Sequence, residues 1–515
     1  MFSILTRWWF GKGFNPVILL TIICIQNALA QVVQTKRFEI SLAENEQSFE
    51  VAPAGDKGVF IYRRLASLET DVLEISFVDT AFQAKWHGYL PIERNYVITG
   101  RKFFDNSLYF VLRFVDFSKN DLKIISINYE QGMYLQYPIK NFIPFTPIEF
   151  HVTTKAALIG GYFNKTPVVI YFDFETKKSR IVPGLFNEPG DLTQIKTYPD
   201  GSFDILVSAK NMARKKTIWI KNYDSEGDVI KNIMIEPEGN KNLIFGRSIK
   251  TPDNMQIVAG TYSTNASEYS KGIFVASVFP TGEQQVRYYN YADLENFFKY
   301  MRAKREARVK NRIQRRRIKG RKLRFNYRLL VHELVPYHGQ FILLGEAFYP
   351  KYIYGDNYRG MFYSNMTTAR GPVYQNGKLF DGYYYTHAVT LGLSENGKLL
   401  WDNSFEINDV RTFTLEQFVK LDADDEKLTL LYLFNNEIRS KIIKDNNVVE
   451  GKSFNPIMLK SETDFTKNRD GTDLNRLEYW YDHYFMAHGT QWINTVQRGM
   501  SPKGRVFFIN KVTHR

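Results

Sequence analysis

Thiols are all but missing from this chain. Its one cysteine, Cys24, lies inside a segment patterned as a cleavable secretory signal. Arg7 and Lys12 precede a nine-residue apolar run at 17–25 (VILLTIICI), and Ala28-Leu29-Ala30 then supplies small residues where a signal peptidase reads. Residues 1–30 are expected to be removed, with Gln31 first in the mature chain. Disulfides, thiolate metal sites and cysteine nucleophiles are thereby excluded together. The apolar run is too short to cross a bilayer, which takes about 20 residues. A lipoprotein signal is excluded too, because Cys24 follows Ile22-Ile23 rather than a small residue. No later stretch is apolar for long enough to span. An exported protein of the periplasm or outer membrane is expected, soluble or peripheral and stabilised by its core alone, for which about 485 residues are ample.

Catalytic signatures are also scarce. No pair among the eight histidines has strong metal spacing, and His332-Glu333, which starts like a zinc-protease helix, meets Pro336 where the second ligand belongs. There is no G-x-S-x-G elbow and no phosphate-cradling glycine loop. The segment 466–477 resembles a calcium loop in its middle, but Thr466 and Leu477 stand where acidic ligands are required. No metal and no cofactor are expected. One catalytic arrangement is on offer: Glu346 and His387 as acid and base in an axial channel, with His332 on the preceding strand and His488 in the matching strand of the last unit. Hydrogen-bonded core polar groups are the other reading of the same residues.

What the chain does have is concentrated positive charge. It holds 68 Lys and Arg against 54 Asp and Glu. Fifteen of the cations fall between positions 299 and 328, with Glu306 the single acid there, so the body is close to neutral. From 294 to 318 there is no Gly or Pro and helix formers abound, which predicts a helix ended by Gly320. Leu294, Phe297, Phe298 and Met301 make an anchoring face that only Val309 and Ile313 continue. The cations beyond are Arg302, Lys304, Arg305, Arg308, Lys310, Arg312, Arg315, Arg316, Arg317, Lys319, Arg321, Lys322 and Arg324. They form either a solvated face without a partner or a docking arm for something anionic. Export argues against nucleic acid and for anionic lipid headgroups, lipopolysaccharide or an acidic protein surface.

The rest of the chain repeats. Short apolar runs are separated by turn signals such as Pro199-Asp200-Gly201 and Pro280-Thr281-Gly282. One strand type recurs, with small residues midway: LIGGY at 158–162, IVAGTY at 257–262, LLGEAF at 343–348 and FMAHG at 485–489. Turns follow near Asp79, Gly132, Thr176, Gly227, Gly282, Gly397, Asn446 and Gly504, about fifty residues apart except for 115 between Gly282 and Gly397. Such a period, with several strands per unit, predicts an all-β propeller of eight or seven blades, with a β-sandwich array as the structural alternative. The small residues are expected at the crowded axis. The last unit is one strand short, and the strand at 36–42 is expected to complete it.

The enlarged unit holds two insertions, a basic helical one at 291–325 and a Tyr-rich loop at 349–385 that includes Tyr352, Tyr354 and Tyr358. Tyrosine offers rigid area with a polar tip, which suits protein or sugar surfaces. A loop packed on its own blade is the alternative.

The runs FDGYYYTH at 380–387, GKLLW at 397–401 and RVFFINK at 505–511 resemble those of exported propeller-like proteins of the Bacteroidota, over most of the mature chain. The resemblance implies no catalytic residues. It implies service to an outer-membrane secretion or uptake machine, such as the type 9 translocon. Two functions are therefore expected. One is a non-enzymatic envelope scaffold docking a membrane-protein or anionic partner through the arm and the Tyr-rich segment. The other is a propeller enzyme acting on polysaccharide with an axial carboxylate, Glu346, although a glycosidase needs two.

Overall fold

The computed structural model describes residues 32–66, 70–115, 120–140, 143–185, 189–264, 268–321, 323–354, 374–375, 378–424, 427–466, 475–495 and 504–514. These form eight antiparallel sheets. Blades 1 to 5 are four-stranded and cover 50–92, 96–139, 146–181, 190–235 and 242–290 in chain order. Blade 6 covers 328–412, blade 7 covers 420–456, and blade 8 joins 464–514 to the N-terminal strand Val32–Leu42. The protein is an eight-bladed β-propeller.

Its core is not one mass but eight. Each buried apolar cluster straddles two neighbouring blades. One packs Phe60 and Phe77 of blade 1 against Phe110 of blade 2, and the series runs on to Phe508 of blade 8 against Leu431 of blade 7 and Phe507 against Val51 of blade 1. A ring built this way is held by every seam at once, because each sheet is buried on both faces by its neighbours.

The closing seam is as expected from the short last unit. Strand Val32–Leu42 pairs antiparallel with Arg505–His514, from Val32 opposite His514 to Leu42 opposite Arg505. Gly504 accordingly lies before the third strand of blade 8, whereas the other seven turns join third and fourth strands.

The small-residue strands lie one step out from where they were expected. Ala156–Phe163, Gln256–Ser263, Gln340–Tyr354 and Tyr484–Thr495 are second strands, and the first strands face the axis. Smallness there answers to close neighbours. A Cβ on Gly160 would meet Ile195 Cδ1 of blade 4 at 2.6 Å, and one on Gly260 would meet the Phe245 carbonyl oxygen at 1.9 Å. Carboxylates at the axis include Glu333 and Glu478, whereas Glu346 lies on a second strand. Glu333 pairs with Arg247 at 3.1 Å and Lys196 at 3.5 Å, and Glu478 pairs with Arg101 of blade 2 at 3.1 Å.

A backbone oxygen cannot rotate away as a side chain can. Gly260→Ala is therefore expected to lower stability by about 3 kcal/mol, at the upper end of single substitutions. Gly88→Ala, at a site with nothing within 4 Å of the added carbon, is expected to stay within about 0.5 kcal/mol. Urea denaturation midpoints of the two variants make the comparison.

A cationic helix and a tyrosine hairpin on one face

The basic segment connects the last strand of blade 5 to the first of blade 6. Arg328, where blade 6 begins, lies opposite Phe348, past the midpoint of the second strand. The arm thus enters on the same face from which the second and third strands of blade 6 project. Both insertions share that face by construction.

The arm is not helical from 294. Two 3-10 turns, Tyr291–Asp293 and Phe297–Tyr300, come first, and the helix α1 occupies Ala303–Ile318. The early residues are taken by tertiary contacts that compete with helix. The Asp402 carboxylate accepts the backbone N–H groups of Glu295 and Asn296 at 2.9 and 2.7 Å, and Asn296 returns its side-chain amide to the Asp402 carbonyl at 2.8 Å. Burial pushes the Asp402 carboxyl up from its ordinary value, opposed by those N–H groups. Phe297 and Phe298 are fully buried, with Phe297 stacked on Tyr291 at 4.7 Å and Phe298 against Phe325 at 4.7 Å. Tyr300 stacks flat on His387 at 3.7 Å and meets Tyr327 through their hydroxyls at 3.1 Å. Asp402, Tyr291, Tyr300 and Tyr327 were not singled out in the sequence. The tyrosines flanking the basic run were the available signal, since a charged arm needs a root.

Beyond the root, α1 rests on Val309 and Ile313, which pack against the seam between blades 5 and 6. Its C-terminal end is the better made, since the N-cap residue Arg302 makes no side-chain capping bond. Glu306 sits in the first turn and pairs with Lys310 at 2.7 Å, while Arg315, Arg316 and Arg317 occupy the last turn, each sign suited to its end of the helix dipole. Gly320, at φ +65°, stops the helix as expected. Its N–H bonds the Arg317 carbonyl and that of Arg321 bonds the Arg316 carbonyl, a Schellman closure.

The expected cations are displayed rather than absorbed. Arg302, Lys304, Arg305, Arg308, Lys310, Arg312, Arg315, Arg316, Arg317, Lys319, Arg321 and Arg324 are all exposed. Lys322 lies outside the described residues. Arg308, Arg312, Arg315, Arg316 and Lys319, with Asn311, line a shallow groove of about 400 Å³ along one flank. Among the described residues none of these five forms an ion pair, and on the helix only Lys310 (with Glu306) and Arg317 (with Asp293, 3.0 Å) do. Like charges three and four residues apart each cost the helix about 0.2–0.5 kcal/mol, so an anion laid in the groove would relieve strain as well as add attraction.

The Tyr-rich segment is strand, not loop, wherever it is described. Gln340–Tyr354 and Lys378–Ser394 run together as a long hairpin, paired from Gln340 opposite Ser394 to Tyr354 opposite Lys378. Its aromatic residues divide between two duties. Phe348, Tyr383 and Tyr385 pack toward the seam with blade 7, while Tyr349 and Tyr352 are exposed. Tyr349 stacks on Tyr384 at 5.7 Å, and the Tyr384 hydroxyl donates to Asp381 at 2.7 Å. Lys351 and Arg411 reach the same carboxylate at 3.1 and 3.0 Å, and the Tyr384 hydrogen bond first, then these cations, hold it below its usual range. The Tyr354 side chain and Tyr358 lie outside the described residues.

The acid–base pair is not brought together. His387 is paired with Ala347 and Glu346 with Ala388, so their side chains leave opposite faces of the sheet, and both are fully buried. Glu346 accepts from His332 at 2.6 Å and from the backbone N–H groups of Phe418 and Val419 at 2.9 and 3.0 Å, tying blade 6 to the entry of blade 7. His387 lies under Tyr300 in the arm's root. His488, also buried, stands near Glu478 of its own blade at 3.7 Å.

No family model matches the chain, and no curated protein matches it. Solved structures that it resembles include a dihydro-heme d1 dehydrogenase, NirN, at 10% identity and TM-score 0.44, covering 94% of this chain and 80% of that one. Others are the Dos1 propeller at 9% identity and TM-score 0.39, covering 83% and 98%, and the propeller domain of the Trilobed protease from Pyrococcus furiosus at 11% and 0.37, covering 81% and 93%.

Burial lowers the His387 pKa to about 3, and burial together with Lys102, Arg247 and Lys196 does the same for His151. Unfolding lets both rings take a proton at about 6.5. Their contribution to stability is therefore complete above that pH and is lost as pH falls toward 3. His387→Phe keeps the stacking on Tyr300 and is expected to flatten part of this acid limb in urea midpoints measured between pH 7.5 and 4. An unaltered slope would show that His387 is not one of its sources.

Proposed function

We propose that this propeller is an exported scaffold of the cell envelope that docks on a phosphate-bearing anionic surface through α1, with the tyrosine hairpin beside it. The observation that carries this reading is the row formed by Arg308, Arg312, Arg315, Arg316 and Lys319, exposed on one flank and without acidic partners among the described residues. Guanidinium groups spaced along a helix suit phosphate oxygens, which accept two N–H bonds from each fork. A cation near an anionic membrane contributes about 1 kcal/mol, so five acting together favour attachment strongly while each remains weak. Tyr349 and Tyr352 add rigid contact area with a polar tip at the edge of the same face. The role is one of positioning. A body near neutral carries one charged projection whose root is buried, as befits a subunit of an outer-membrane secretion or transport complex. Among the described residues no helix is long and apolar enough to cross a membrane, so attachment of this kind would be peripheral.

Sedimentation with vesicles tests the reading. The full chain is expected to bind vesicles containing anionic phospholipid and to leave purely zwitterionic ones. Binding should weaken steeply between 50 and 300 mM salt as charges are screened (about 10 Å reach at 0.1 M). Replacing the five cations by Gln is expected to lower affinity at least about a hundredfold with the far-ultraviolet spectrum unchanged. Equal binding by the variant would discard the proposal. Retention of only an envelope protein by the native chain, with no vesicle binding, would replace the lipid surface with an acidic protein one.

A further inference from the structure

Away from the arm, three side chains from distant parts of the chain meet at the opposite face of the ring. Asp422 lies on the first strand of blade 7, Lys420–Ala423. His483 occupies the tight turn between Arg476–Tyr481 and Tyr484–Thr495 of blade 8, just after Asp482 at φ +44°. His514 ends Arg505–His514, the strand that closes the ring against Val32–Leu42. His514 Nε2 is 2.5 Å and His483 Nδ1 is 3.0 Å from the same carboxylate oxygen, Asp422 Oδ2. One ligand atom from each of the three lies within 4.8 Å of the others.

We infer that Asp422, His483 and His514 form a site for a divalent transition-metal ion of the Zn²⁺ class, and that the ion clamps the ring-closing strand to blade 7. Two imidazoles and a carboxylate are the donor set such ions take, at bonds of about 2.0–2.2 Å. Ligand atoms around a tetrahedral ion then stand about 3.3 Å apart, so Asp422 Oδ2 needs to draw back from each imidazole nitrogen by less than an ångström, and the two nitrogens already lie within 4.8 Å of each other. The protons have somewhere to go. His514 Nδ1 lies 3.3 Å from the hydroxyl of buried Thr429, which can accept an N–H there and leave Nε2 free as the ligand. His483 Nδ1 releases its proton to solvent, since that ring is half-exposed. Asp424 and Asp482 act on His483 with the same negative sign as Asp422, so the site attracts a cation before any bond forms. Asp422 and His514 are buried while His483 is open, which gives two fixed ligands, an entrance, and a position left for water.

The experiment uses the untagged full chain, freed of metal and then dialysed against Zn²⁺ at micromolar concentration. About one ion per chain is expected, with Mg²⁺ and Ca²⁺, which prefer all-oxygen sites, failing to compete. His483→Ala removes the exposed ligand with least risk to folding and is expected to weaken binding about a hundredfold. Thr429→Val, which removes only the acceptor behind His514, is expected to weaken it about tenfold. Hydrogen exchange of the amides in 505–514 should slow on adding Zn²⁺ to the native chain and not to His483→Ala. Less than about 0.2 ion per chain, or full binding by both His483→Ala and His514→Ala, would overturn the site. Stoichiometric binding with unchanged exchange in 505–514 would overturn the clamp.

Discussion

The first and last strands among the described residues are hydrogen-bonded neighbours, and the ring exists because they are. Residues 32–42 and 505–514 pair along their length, and the apolar residues of that joint, Phe507, Phe508 and Ile509, are wholly buried between blades 7, 8 and 1. With a single cysteine in the sequence no intrachain disulfide can lock the ring, and this ladder with its flanking clusters holds it closed. Every other seam joins blades that follow one another in sequence, so its loss would be local. Loss of the closing seam would expose sheet faces on two blades and leave an unpaired strand edge, a known invitation to aggregation.

Within that frame, blade 6 carries both departures from regularity. Long insertions are tolerated where the connections already run over the surface, because the entropy of closing a loop grows only with the logarithm of its length. The arm lies between blades 5 and 6, and the hairpin extends two strands of blade 6. Polar groups sealed inside this blade serve its attachments. Glu346 holds the entry to blade 7, Asp402 holds the arm's first turns, and His387 is the flat surface on which Tyr300 rests. These are structural uses of residue types that in sequence look chemical.

The repeat was legible because a turn falls at nearly the same interval, on glycine or asparagine in six of the eight units, and a small-residue strand recurs in four of them, and both needs are local. The helix stop at Gly320 was legible for the same reason, since only a residue at ease with positive φ closes a Schellman turn there. The helix start was not. Leu294 to Met301 has helical spacing, but Asp402, 107 residues from Glu295, captures the backbone N–H groups that helix would have used. The Tyr-rich segment at 349–385 was expected as loop, yet Pro350 and Gly382 fall in paired strands whose register is set by the rest of the hairpin. Glu346 and His387 looked like partners because the side to which each strand residue points depends on register, which a lone sequence does not state. The same holds for Asp422, His483 and His514. Separations of 61 and 92 residues carry no motif.

A charged arm on a loose tether would sample many directions and lose that freedom on attachment. Here the arm is bolted at its base by a buried carboxylate, two phenylalanines and a tyrosine laid flat on an imidazole. Its heading relative to the disc is settled in advance, so whatever it touches meets the ring at one tilt. A pull along the arm would be borne by the strands of blade 6 rather than taken up as slack.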